Sequence, residues 1–179
     1  MFEGWDNYFV LLGTAAAGLI GLLFVVVTLT TGMERSRALW AAGIYMTPIA
    51  VHFGAVLSIS AVVLVPRLAA MQVAGLIAIL AALGLGAATR TCLGIFALHS
   101  KPDPPHWSDF WGYGVGPAAI YLLLEAAALS VWQRAACASY LLAALLLVLL
   151  LVAIRNAWDL ITWMAPARPT PPAPPSTPS

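Results

Sequence analysis

Two side chains in this sequence stand where charge is costly. His52 follows Thr47-Pro48-Ile49-Ala50-Val51, and Glu125 follows Tyr121-Leu122-Leu123-Leu124; apolar residues surround both. An ionisable group inside hydrocarbon normally faces the interior of a helix bundle and finds a partner there. At a common depth, an acid and an imidazole can pass a proton or hold a cation, so His52 and Glu125, with the Thr47 hydroxyl nearby, form a possible relay or ligand pocket. The plainer chemistry of the same residues is a polar clasp between two helices. A Glu125–His52 contact would satisfy both groups, and an acid with no cation beside it is expected to keep its proton.

A second set lies toward one membrane face. Arg155 and Asp159 are one helical turn apart and can pair on one side of a helix. Arg90 can snorkel its guanidinium to the interface or cross to Asp159. A third set, Gly13, Ala17 and Gly21, repeats small residues every four positions, with Thr14 and Gly18 beside them. Small residues let two backbones approach closely in lipid, either within one chain or between subunits.

Other chemistries find less support. The stretch His99-Ser-Lys-Pro-Asp-Pro-Pro-His-Trp-Ser-Asp109 holds two His and two Asp, but their spacing matches no standard metal site. Ser108 or Asp109 is expected to cap the helix that follows. Bis-His haem ligation needs two imidazoles at one depth, whereas His52 is central and His99 and His106 lie near a membrane face. No phosphate-binding loop, zinc-protease, nucleophile-elbow or C-x-x-C pattern occurs. The expectation is a protein without metal or cofactor, and not an enzyme.

The elements that must position these residues are membrane spans. Of 179 residues, 62% are hydrophobic and only 8% are charged. A soluble domain of this size could not hide so much apolar surface. A helix needs about 20 apolar residues to cross a hydrocarbon core of about 30 Å. The sequence provides five such stretches, Tyr8–Thr31, Leu39–Val65, Ala69–Leu98, Val115–Gln133 and Cys137–Met164. They are too long and too continuously apolar for barrel strands, so the expected fold is all-α, a polytopic transmembrane helical bundle. Pro48 is expected to kink the second span by removing a backbone bond. The start, Met1 to Tyr8, carries Glu3 and Asp6 but no basic residue, unlike a cleaved secretory signal, so the first stretch is expected to remain as a span.

Basic residues set the expected orientation. With the N-terminus outside, the inner face receives Arg35, Arg37, Arg90, Lys101, Arg155 and Arg168, and the outer face only Arg67 and Arg134. The seven tryptophans, Trp5, Trp40, Trp107, Trp111, Trp132, Trp158 and Trp163, fall at or beyond the span ends, where indole rings prefer to sit. Cys92 and Cys137 lie near opposite faces, too far apart for a disulfide, and are expected to pack as small apolar residues. Residues 1–164 thus form a transmembrane domain. The tail, 165–179, contains seven prolines and no large apolar residue and is expected to be extended and disordered; its P-x-x-P spacings also suit a proline-recognising partner. The net charge of +1, with no basic cluster, argues against nucleic acid.

Three blocks resemble an uncharacterised family of small bacterial polytopic inner-membrane proteins: Thr47-Pro-Ile-Ala-Val-His52-Phe-Gly-Ala-Val-Leu57, Ile154-Arg-Asn-Ala-Trp-Asp-Leu160, and Trp107 to Tyr121 with Asp109, Pro117 and Tyr121. The resemblance covers nearly all of the chain except its tail. Members often carry Trp directly after the loop Asp, where this chain has Phe110 and then Trp111. The resemblance implies a multi-pass protein of the bacterial inner membrane with no assigned reaction; distant relatives carry labels such as modulator of a membrane protease. With the composition, this gives a small scaffold or regulatory subunit whose partners are the bilayer and another membrane protein or further copies of itself. The alternative is an oligomeric proton- or cation-conducting channel or transporter using Glu125 and His52.

Overall fold

The computed structural model describes residues 2–29, 45–98 and 106–164. Arg35, Arg37, Trp40, His99, Lys101, Arg168 and the whole proline-rich tail lie outside the described residues. Within them are five helices long and apolar enough to cross a membrane: α1, Asp6–Leu29; α2, Thr47–Leu64; α3, Ala70–Leu98; α4, Trp107–Trp132; and α5, Ala138–Met164. The helical bundle expected from sequence is therefore the observed fold. Helices are the solution here because hydrocarbon offers no partner to a backbone N–H or C=O, and a helix satisfies them within one segment.

The two described turns between spans lie at one end of the bundle. Residues 65–69 join α2 to α3, and 133–137 join α4 to α5, both at the end where α1 begins. Each turn holds an arginine in the left-handed backbone region, Arg67 at φ 65° and Arg134 at φ 55°. At the end of α4, Ala135 N–H donates to Ser130 O at 2.9 Å and Arg134 N–H to Val131 O at 3.1 Å. This closing pattern recovers carbonyls that a helix end otherwise leaves unbonded. The start of α3 is tied by Ala69 N–H, which donates to Gln72 Oε1 at 2.9 Å, half of a capping box.

Packing runs α1 on α2, α2 on α3 and α3 on α4, and α5 closes the bundle against α4, α2 and α1. The shared core includes Phe9, Ile49, Phe53, Ile77, Tyr121 and Leu146. On α1 the buried positions are Phe9, Leu12, Gly13 and Ala16. The expected small-residue ladder therefore splits: Gly13 packs against Ser60 of α2, where an added Cβ would lie 3.4 Å from the Ser60 Cβ, while Ala17 and Gly21 are exposed. A helix turns about 100° per residue, so positions four apart drift about 40° at each step and leave the packed face.

One helix start differs from the sequence expectation, and the expected start of the second span at Leu39 lies outside the described residues. Helix α4 begins at Trp107 rather than Val115, and its stretch Phe110–Val115 is π-helical, with Gly116 N–H donating five residues back to Trp111 O. The regular part of α2 begins at Thr47, after a π turn at Tyr45 and Met46. Pro48 thus occupies the first α turn of α2, directly after that π turn. Pro117 holds the equivalent place after the π turn of α4.

One glycine decides how closely α3 and α4 can pack. A Cβ at Gly84 would collide with the ring of Tyr121, so the absence of a side chain there makes room for the phenol. Gly84→Ala is expected to destabilise the bundle by about 1–3 kcal/mol, the usual cost of overpacking. Gly86→Ala, where a Cβ meets nothing within 4 Å, should be neutral or slightly stabilising. Thermal unfolding of both variants in one detergent is the check; equal melting temperatures would show that the Tyr121 ring yields freely.

Candidate functional site

The buried polar groups form two links between helices, one near the middle of the bundle and one at the end opposite the α2–α3 and α4–α5 turns. The first joins α2 to α4. His52 Nδ1 and Tyr121 Oη are 2.9 Å apart, with ring centroids at 5.6 Å and planes inclined by 45°. Both residues are fully buried. The backbones of α2 and α4 barely approach one another, so this reach is made by side chains. Tyr121 crosses to α2 through the space that Gly84 leaves on α3. Whichever group donates depends on the imidazole tautomer, and in either case His52 Nε2 has no partner among the described residues. Ser60 Oγ, two turns outward on α2, is likewise buried without one.

The expected partnership of His52 with Glu125 is therefore corrected. Glu125 is partly buried and makes no hydrogen bond or ion pair among the described residues. It lines a lateral groove between α3 and α4 with Ala74, Gly75, Ala78, Ala128 and Trp132. The cause is helical phase and length: Glu125 stands one turn beyond Tyr121 and about 40° around the axis, and the longer phenol fills the one gap that leads to α2. Thr47 is exposed at the first position of α2, more than one turn from His52, and does not join a buried relay.

The second link joins the π turn of α4 to α5. Asn156 is fully buried; its Nδ2 donates to Gly112 O at 2.9 Å, and its backbone O accepts from Tyr113 Oη at 2.7 Å. A π turn displaces carbonyls from the regular ladder, and such turns recur at functional sites; here Asn156 takes up one of them. Tyr45, from the π turn before α2, meets the Tyr113 ring edge-on at 5.1 Å. Burial, and then the Asp109 carboxylate, push the Tyr45 phenol up from its ordinary value.

Arg155 and Asp159 are paired as expected, Nη2 to Oδ2 at 3.0 Å. With side chains 55% and 43% exposed, the pair contributes little, about 0–1 kcal/mol. Arg90 is exposed and takes no part in it. The cap of α4 differs from expectation: His106 Nδ1, not Ser108 or Asp109, accepts from Ser108 N–H at 3.2 Å. Cys92 packs against Gly114 of α4, while Cys137 is exposed in the α4–α5 turn. A cavity of about 770 Å³ opens at the end of the two short turns, bounded by Val63, Val73, Val131, Glu3, Asp6 and Arg134, away from both links.

Sequence reasoning named His52, Arg155 and Asp159 correctly as polar centres but passed over Tyr121, Tyr113 and Asn156 as bonding groups. A signal was present: counted from the prolines, His52 and Tyr121 are both at position +4, after Pro48 and Pro117. No protein-family model, curated protein or solved structure matches the chain.

The bonds of His52, Tyr121, Tyr113 and Asn156 each connect two helices. Tyr121→Phe keeps the ring but strips His52 of its one bonded contact, and should cost about 1–3 kcal/mol, the penalty for orphaning a buried polar group. His52→Leu combined with Tyr121→Phe removes both polar partners and should be less destabilised than the sum of the two single variants. Unfolding of the three variants in detergent tests this; strict additivity would mean that the two side chains are not coupled.

Proposed function

We propose that this chain is a non-enzymatic integral membrane protein of the bacterial inner membrane, a small scaffold or regulatory subunit of a membrane complex. The observation that carries the reading is the use made of its buried polar groups. His52 with Tyr121, Tyr113 with Asn156, and Asn156 with Gly112 each bridge two helices, which stiffens a bundle and leaves its outer surfaces for partners. The N-outside, C-inside orientation belongs to the same reading. Arg67 and Arg134 occupy the turns at the proposed outer end, while Arg90 and Arg155 lie toward the other, as the bias of basic residues to the cytoplasmic side requires.

A proton- or cation-conducting oligomer is the second reading. It draws on the unpartnered His52 Nε2 and Ser60 Oγ, which a file of water would satisfy. Against it stands the separation of function between the two ionisable residues, His52 bonded within the core and Glu125 facing a lateral groove.

Two measurements test these proposals. In proteoliposomes under an imposed pH gradient, the chain should carry no proton flux above that of empty vesicles; flux abolished by His52→Ala would establish the conducting reading instead. A membrane-impermeant maleimide added to intact spheroplasts should modify Cys137, which is exposed in the α4–α5 turn, in a Cys92→Ala background. Modification only after lysis would reverse the orientation.

A further inference from the structure

Glu125 is the buried-depth acid that the bundle leaves unsatisfied. Seven residues separate it from Trp132 at the outer interface, about 10 Å along the helix, so its carboxyl lies well inside the hydrocarbon. A polar group at that depth is normally directed inward and paired. Here it lines a groove of about 440 Å³ that opens sideways between α3 and α4. The groove floor is small: Ala74, Gly75 and Ala78 on α3 and Ala128 on α4, and a Cβ at Gly75 would meet nothing within 4 Å. Small residues beside a polar one are the two features that draw transmembrane helices together.

We propose that a second copy of this chain docks on this groove, with Glu125 of each copy bonded to Glu125 of the other. This deepens the subunit reading above by naming the first partner as the chain itself. The carboxyl group selects that occupant. A carboxylic acid offers one O–H donor and one acceptor, so two of them satisfy each other completely, each O–H donating to the other's C=O. A two-fold axis along the membrane normal brings identical residues together at identical depth, which is the self-complementary arrangement of an isologous interface. A different partner would have to supply a donor at just this level. Nor does the described chain supply one: Arg67 and Arg134 lie in the outer turns, and Arg90 and Arg155 lie toward the inner end. Lipid chains would fill the groove but leave the carboxyl without a partner.

The test uses the full-length chain, reconstituted over a range of lipid ratios, with subunits counted by single-molecule photobleaching. Wild type should be dimeric. Glu125→Gln should associate nearly as well, since an amide also donates and accepts. Glu125→Leu should weaken association on the order of tenfold, the scale of an interhelical hydrogen bond in lipid. In a background of Cys92→Ala and Cys137→Ala, Leu129→Cys at the groove edge should cross-link between copies and Leu22→Cys on the lipid side of α1 should not. Should Glu125→Leu fail to fold, the Leu129→Cys result, obtained with Glu125 intact, decides. A monomer at every ratio, association indifferent to Glu125→Leu, or equal cross-linking at Leu22→Cys would overturn the proposal. A monomer that retains a tightly bound lipid in the groove would also overturn it. A monomer that still co-migrates with a larger membrane complex would overturn the second copy as occupant while leaving the subunit reading in place.

Discussion

Hydrocarbon cannot return a hydrogen bond, and each polar choice in this bundle answers to that fact. Unbonded groups there cost several kcal/mol, so helices satisfy their own backbones, and any departure from the regular ladder must be made good by a side chain. The π turn at Phe110–Val115 is such a departure. Its consequence is met from α5, where Asn156 donates to Gly112 O. Asn156 is fully buried, which an amide tolerates only when its polar atoms are engaged. The Tyr113 hydroxyl completes the joint by donating to the Asn156 carbonyl. The pairing of these two segments is thus set by the backbone defect in one and the amide in the other.

Helices α2 and α4 share a design that their backbones do not reveal. Both run in the same direction through the bundle, and both follow a π turn with a proline in the first regular turn. A proline ring crowds the carbonyl four residues before it, which a widened turn relieves. Tyrosines from the two π turns, Tyr45 and Tyr113, touch edge-on, and the residues at position +4 from each proline, His52 and Tyr121, share a hydrogen bond. Two contacts, about two helical turns apart, hold together helices that otherwise barely meet. Gly84 is the condition for the second of them, since any side chain there would occupy the path of the Tyr121 ring.

Much of this fold is legible in the sequence because hydropathy registers the solvent directly. The five spans are visible as five apolar runs, and the structure moves most of their ends by only a few residues. The start of α4 shifts further, to Trp107, because a stretch rich in aromatics and glycine resembles an interfacial loop in composition and continues the helix only through its π turn. The polar partners were less legible. Charge drew attention to Glu125 as the mate for His52, while Tyr121, a hydroxyl at the end of a long apolar ring, looked like core. Which of the two reaches α2 depends on about 40° of helical phase and on a glycine in a third helix, and neither quantity is local to the residues concerned. The ladder of Gly13, Ala17 and Gly21 packs within the chain at Gly13 alone, because a spacing of four slips off a face whose period is 3.6, and its two exposed members leave the subunit-interface reading of the ladder standing.

The relative strength of the contacts around the π turn of α4 indicates which of them fixes the geometry. Arg155 and Asp159 form the one salt bridge among the described residues, yet both are substantially exposed, and a pair of that kind is worth at most about 1 kcal/mol. Asn156, one residue along, has no exposure at all, and breaking its bonds would leave buried donors and acceptors unmet at about 1–3 kcal/mol each. Position along α5 is therefore set by the neutral amide, and the ion pair sits on the outside of a joint already made. The same ordering holds across the bundle: uncharged groups, His52, Tyr121, Tyr113 and Asn156, do the internal fastening, and the charged ones stand at its margins. Glu125 departs from that division. It is a carboxyl within a span, lining a lateral groove between α3 and α4, in a bundle whose other described charged groups stand near its two ends.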